Sequence, residues 1–172
     1  MAVLEEWTHN VSDIPAGGLH RERKASASEC KDLSKALKIP SLGSLLVKYQ
    51  ITALSSGGYR LSGEINADVV QACIVSLETV PSHVSDTFSS EFWPDPAQLE
   101  SEAEKSILDG ADIELLSNGV IDAGKIIFEA LSAGLDPYPR KQGAEFDWQD
   151  PVALDPTKTS PFAVLAKLKD KG

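Results

Sequence analysis

Cysteine is scarce in this chain: Cys30 and Cys73 are the only two among 172 residues. A small secreted scaffold held by disulfides carries more. Two reduced, packed thiols are therefore expected, Cys30 on a predicted helix and Cys73 on a predicted strand, each in apolar surroundings. Long apolar runs are also missing, and no stretch approaches the roughly 20 residues that a membrane-spanning helix needs. The opening MAVLEEWTHN has neither the basic nor the apolar region of a secretory signal, so the cytoplasm is the expected compartment. Positive charge is in deficit. Sixteen Lys and Arg against 26 Asp and Glu leave a net charge of −10. Phosphate is repelled at long range by such a chain. Any RNA contact needs a local basic patch or a protein intermediary.

The motifs of common chemistry are absent too. Gly17-Gly18 and Gly57-Gly58 lack the spacing of a phosphate-binding loop. No G-x-S-x-G elbow occurs. A zinc site needs about four ligands with tight local pairs. Here the residue three places after Cys73 is Ser76, and His9, His20 and His83 are scattered singly. Cys73 is the best nucleophile candidate, with His83 downstream, but it has no evident base, electropositive setting or solvent access. The expectation is a protein that is not an enzyme, with no cofactor, metal or small-molecule substrate.

What is present is globular. The hydrophobic fraction is 42%, and the length suits a single domain, residues 1–172, that needs no disulfide or metal staple. Glu6 to Ile14 read as a short edge strand closed by Pro15-Ala16-Gly17-Gly18. The basic cluster His20-Arg21-Glu22-Arg23-Lys24 reads as a solvated strand or loop, or as a binding patch. Ser26 and Glu29 form an S-x-x-E capping box, and Cys30, Leu33, Ala36 and Leu37 follow at helical spacing.

Val47, Tyr49, Ile51 and Ala53 alternate with polar residues as a half-buried strand does. After the Ser55-Ser56-Gly57-Gly58 turn, Tyr59, Leu61, Gly63 and Ile65 return as its partner. Gly63 marks a bulge or a close backbone approach. Val69, Gln71, Cys73, Val75 and Leu77 make a third strand with Cys73 pointing inward. Pro81 breaks the chain, and Val84, Phe88 and Phe92 lie on a fourth strand. Connections this short imply antiparallel pairing. The predicted fold class is α+β: an antiparallel β-sheet, open or barrel-like, with packed helices and an irregular C-terminal segment.

An acidic segment at about 95–118 reads as solvated and mobile, or as an element that mimics nucleic acid or engages a basic surface. Asp122 caps a helix carrying Ile126, Ile127, Ala130 and Leu131, which ends at Gly134 before Asp136-Pro137-Tyr138-Pro139. Arg140-Lys141 follow, then an irregular tail at about 141–160 with Phe146 and Trp148 as candidate anchors. Ser160 and Pro161 open a short C-terminal helix, about 161–169. It is too short to stand alone. It closes the protein's own core or docks on a partner.

Three stretches resemble a known family. Leu61-Ser62-Gly63-Glu64-Ile65-Asn66-Ala67 with Gln71 to Glu78 is similar to the central motif of YceD-like proteins. Gly119 to Asp122, Glu129-Ala130-Leu131 and Asp136-Pro137-Tyr138-Pro139 resemble the second motif. Ser160-Pro161-Phe162-Ala163-Val164-Leu165-Ala166-Lys167-Leu168-Lys169 resembles the C-terminal signature, N-P-F-A-x-L-x-x-L-K. The form with D-P-Y-P-R and an N-terminal tryptophan resembles the alphaproteobacterial branch.

The family-motif positions are Gly63, Cys73, Asp122, Glu129, Pro137, Pro139 and Pro161. The resemblance implies a bacterial, non-enzymatic factor that supports accumulation, processing or stability of large-subunit ribosomal RNA. Its implied partners are that RNA's precursor or ribosomal assembly proteins. The alternative is an adaptor that binds a ribosomal protein or processing enzyme without touching RNA. Many relatives carry C-x-x-C where this chain has Cys73 and Ser76, so no metal or redox role carries over. The candidate contact surface is Arg140, Lys141, Phe162, Leu165, Lys167, Leu168 and Lys169, the apolar members docking and the basic ones surrounding them.

Overall fold

The computed structural model describes residues 4, 6–55, 57–94 and 112–145. The C-terminal signature, with Pro161, Phe162, Leu165, Lys167, Leu168 and Lys169, lies outside them. So do the tail anchors Phe146 and Trp148 and most of the acidic segment.

Three long strands form the centre: β3 (Ser41–Ala53), β4 (Tyr59–Ala72) and β5 (Thr79–Trp93). They run as an antiparallel meander. β2 (Leu19–Lys24) flanks β3, and β6 (Asp112–Leu115) flanks β5, in the order β2-β3-β4-β5-β6. The sheet is open, with β2 and β6 at its edges. β1 (Thr8–Asn10) and β7 (Val120–Asp122) pair separately as a small second sheet. The fold is α+β, as the sequence pattern implied.

Period-two alternation persists through all of β4. Leu61, Ile65, Ala67 and Val69 are buried on one face, while Arg60, Glu64 and Asp68 are exposed on the other. Both helices cover the apolar face. Helix α1 (Ala27–Leu37) lies against β3 and brings Cys30 and Leu33. Helix α2 (Ala123–Ala133) lies against β4 and β5 and brings Ile126, Ile127 and Leu131. These residues join one continuous core.

The helix starts match the expected caps. Ser26 and Glu29 form the reciprocal capping box, and the Asp122 carboxylate accepts the Lys125 backbone N–H at 2.9 Å.

Gly63 marks a close approach and not a bulge, since its pairing to both neighbouring strands is unbroken. A Cβ there would lie 2.7 Å from Tyr49 Cβ and 2.9 Å from Phe88 Cζ. The Lys48 backbone carbonyl is nearer still, so the missing side chain makes room for the neighbouring strand as well as for the Phe88 ring.

Four expectations are corrected. The predicted third strand, Val69 to Leu77, is the second half of β4, which runs unbroken from Tyr59 and stops at Ala72. Asn66 and Asp68 resemble a break only because they face solvent. Pro81 does not interrupt the chain but sits inside β5 opposite Val70. Among the described residues β6 pairs only with Ser90–Trp93 and leaves β5 an edge at Pro81, where a missing N–H costs nothing. The β5–β6 pair is parallel, and residues 94–111 supply the long connection this requires. The first strand is confined to Thr8–Asn10 and joins β7, not the main sheet.

The N-terminal segment closes the core. Leu4 and Trp7 are 3% and 2% exposed. The Trp7 indole N–H donates to Glu29 Oε1 at 2.7 Å, and the Arg23 guanidinium lies 4.9 Å above the Trp7 ring. Arg23, read as part of a solvated cluster, is thus half-buried against this plug.

Burial pushes the Glu29 carboxyl up. Hydrogen bonds from the Ser26 backbone, the Ser26 hydroxyl and Trp7, with Arg23 nearby, outweigh burial and hold it below its usual range. A depressed folded-state pKa stabilises the fold above the unfolded value, and that contribution fades as pH falls through the folded value. Glu29→Gln should lower Tm at neutral pH, and the gap to wild type should close on acidification; thermal melts across the acid range check this. Gly63→Val should destabilise by about 1–3 kcal/mol through overpacking against Phe88 and Tyr49, read by urea unfolding.

Candidate functional site: a sulfur-centred tip

The β4–β5 hairpin turns at Cys73–Glu78, and the exit from α2 folds beside it. Cys73 N–H donates to the Glu78 carbonyl at 2.8 Å, and Leu77 N–H donates to the Cys73 carbonyl at 2.9 Å. The thiol is fully buried. Its Sγ accepts the backbone N–H groups of Val75 and Ser76, each at 3.4 Å, and of Lys141 at 3.3 Å. Cys73 is inward-facing, as expected, but it lies one residue past the end of β4. Val75 and Leu77 do not continue its strand phase, and Leu77 is 80% exposed.

The convergent donors favour the charged form of sulfur. The Lys141 N–H contributes most, then the Ser76 side chain and backbone; together they overcome burial and bring the thiol down to about 6. These N–H dipoles thus stabilise the thiolate form of the sulfur relative to the thiol. Among the described residues no three His, Cys, Asp or Glu side chains converge to hold a metal ion.

Further bonds lock the two segments together. Ile74 N–H donates to the Pro139 carbonyl at 2.9 Å. The Gln71 amide donates to the Asp136 carbonyl at 2.8 Å and accepts the Asp136 N–H at 3.3 Å. Tyr138 N–H donates to Asp136 Oδ1 at 2.9 Å, an Asx turn. Lys141 Nζ lies 2.6 Å from Glu78 Oε1, and this contact lowers the Glu78 carboxyl's pKa. The Asp-Pro-Tyr-Pro stretch is thus held by Gln71, near the end of β4 and 65 residues earlier in the chain, and by Ile74 in the turn that follows.

The other sequence-derived residues are distributed as follows. Arg140 and Lys141 are both exposed on this tip, and Pro139 is buried beneath it while Pro137 is exposed. Asp122 is the α2 cap. Glu129 lies on α2, 3.9 Å from Lys125, and lines a groove of about 310 Å³ with Asp86, Phe88 and Asp112. Gly63 is at mid-sheet beside an open cleft of about 530 Å³, lined by His20, Glu22, Lys48, Gln50, Glu64 and Thr87.

Sequence reasoning missed Ile74, Leu77 and Tyr138. They are three of the four large exposed hydrophobics among the described residues, the fourth being Leu115. An apolar residue is normally assigned inward by alternation. The signal that turns Leu77 outward is its left-handed backbone, φ 60°, which residue identity does not announce.

The described residues thus present a sheet covered on one face by helices and a hydrogen-bonded tip that carries both polar and apolar side chains. Residues 61–169, more than half of the chain, match the family described as large ribosomal RNA subunit accumulation protein YceD, and the chain belongs to that family. Comparisons with curated proteins and with solved structures returned no match. No helix among the described residues is long and apolar enough to cross a membrane.

The Cys73 thiol gives a pH dependence of defined sign. Its folded pKa is depressed from 9.0 to about 6. The unfolded chain therefore binds the extra proton between those values, and stability rises with pH through that window. The Tm difference between wild type and Cys73→Ala should widen from pH 6 to pH 9, measured by thermal melts of both proteins.

Proposed function

We propose that the protein is a non-enzymatic factor that supports accumulation, processing or stability of large-subunit ribosomal RNA by binding its precursor or the assembling particle. The observation that carries this reading is the tip. Arg140 and Lys141 stand exposed on a loop that Cys73, Gln71 and Ile74 hold in one conformation. Family membership supplies the biological setting. A fixed loop loses less entropy on binding than a mobile one, so a small contact area is used efficiently. The cytoplasm is the compartment this role requires.

A second reading is an adaptor that binds a ribosomal protein or processing enzyme and leaves RNA untouched. The net charge of −10 favours it, because a basic protein is attracted where phosphate is repelled. The C-terminal residues Phe162, Leu165 and Leu168, with Lys167 and Lys169, are proposed as the second half of the contact surface on either reading.

Crosslinking in cells, with recovery of both RNA and protein, separates the readings. Large-subunit precursor RNA should be recovered, and the double variant Arg140→Glu, Lys141→Glu should reduce its yield while the purified variant retains its Tm within a few degrees. Recovery of assembly proteins without RNA would establish the adaptor instead. Wild-type ribosomal RNA levels in cells lacking the protein would remove both.

A further inference from the structure

We propose that the tip is a stacking platform for an unpaired nucleotide: the Tyr138 ring takes a base of single-stranded RNA, Arg140 takes the adjoining phosphate, and Ile74 and Leu77 form the apolar flank. This inference rests on the role in ribosomal RNA just stated, and it names residues and a ligand chemistry that the family description does not.

Three observations converge. The first is exposure. Tyr138 is 71% exposed, Leu77 80% and Ile74 46%. Single exposed apolar residues are ordinary, but a group of them on adjacent segments marks a contact surface. The bond from Ile74 N–H to the Pro139 carbonyl sets the hairpin turn that carries Ile74 and Leu77 beside the loop that carries Tyr138.

The second is preorganisation. The loop is pinned at Asp136 by Gln71, at Pro139 by Ile74 and at Lys141 by Cys73. Leu77 holds φ 60°, a conformation a leucine adopts at some cost, and its side chain gains no burial in return. Backbone strain that displays an apolar side chain to solvent points to a contact made by that side chain.

The third is charge. Lys141 is paired with Glu78 at 2.6 Å, while the Asp136 carboxylate accepts the Tyr138 N–H and keeps its negative charge. Among the described residues Arg140 forms no ion pair. The tip thus offers one aromatic face and one uncommitted guanidinium. That pair matches a splayed nucleotide, which presents one π-face and one phosphate. A duplex hides its base faces and does not fit. A stable protein interface buries about 800 Å² on each partner, more than three side chains supply.

The chemistry also sets the form of the binding curve. One cation gives a shallow salt dependence, with log K falling by about 0.7 per unit of log salt for a single-stranded ligand. Stacking supplies most of the affinity and tolerates many sequences.

The test uses the purified full-length protein and fluorescein-labelled ten-nucleotide oligouridylate and oligoadenylate, read by anisotropy over a range of salt. Wild type should bind both with the shallow slope and should bind a duplex of equal length more weakly. Tyr138→Ala should weaken binding about tenfold, within the range that loss of a stacked base produces. Tyr138→Phe should retain it, because the ring remains. Arg140→Gln should flatten the slope to near zero. Unchanged Tm in each variant excludes unfolding as the cause.

No oligonucleotide binding, or equal binding by Tyr138→Ala and wild type, overturns the proposal. So does a Tyr138→Ala variant that keeps RNA but loses a ribosomal protein from the crosslinked set, because the tip is then a protein dock. In cells lacking the chromosomal copy, normal large-subunit RNA on complementation with Tyr138→Ala sinks the platform and leaves the wider role intact. Normal RNA without any complementation sinks the wider role itself.

Discussion

Three backbone N–H groups converge on the sulfur of Cys73, and the geometry of the tip follows from that convergence. The turn that joins β4 to β5 directs the N–H groups of Val75 and Ser76 inward, where sulfur is their acceptor. A buried donor left unpaired costs about 1–3 kcal/mol. The third donor, Lys141, belongs to the chain leaving α2. One side chain therefore satisfies a hairpin and tethers a remote segment to it. Gln71, two residues earlier, repeats the connection through Asp136. Cys73 serves here as an acceptor that organises backbone, a role that needs neither metal nor redox chemistry.

The remainder of the fold holds this tip at a fixed place. β3, β4 and β5 are 13, 14 and 15 residues long, enough for an extended platform with one apolar and one polar face. Both helices and the Trp7 plug gather on the apolar face. Among the described residues the polar face stays open, crossed by pairs such as Lys48–Glu64 at 3.7 Å and His83–Asp68 at 2.9 Å. Exposed pairs of this kind contribute little to stability. They keep the face hydrated and the molecule acidic, so positive charge counts only where it is uncommitted, as at Arg140.

The parts of the fold legible in sequence were those set by local rules. Ser26 with Glu29 and Asp122 before Lys125 announce helix starts because a cap is a contact over three residues. Val47, Tyr49 and Ile51 announce a strand because side chains alternate wherever one face is buried. What escaped depended on residues far apart in sequence. Asn66 and Asp68 read as a gap between strands, although polar residues on the solvent face are what a half-covered strand requires. Pro81 reads as a breaker unless its neighbour on the donor side is known to be absent. β6 cannot be found by alternation in four residues that owe their pairing to the end of β5. At the site, Arg140, Lys141 and Cys73 were identifiable by type and motif. The bond from the Lys141 N–H to the Cys73 sulfur was not, since it joins residues 68 positions apart. Leu77 was hidden by the assumption that apolar residues of a strand turn inward.

Amide hydrogen exchange at the tip tests the sulfur-centred lock most directly. The Val75, Ser76 and Lys141 amides should be protected in the wild-type protein. Cys73→Ala should release all three together, while amides in β3 and α1 keep their wild-type rates. Free exchange at these amides in the wild type, or unchanged protection in Cys73→Ala, would show that the sulfur does not organise the tip.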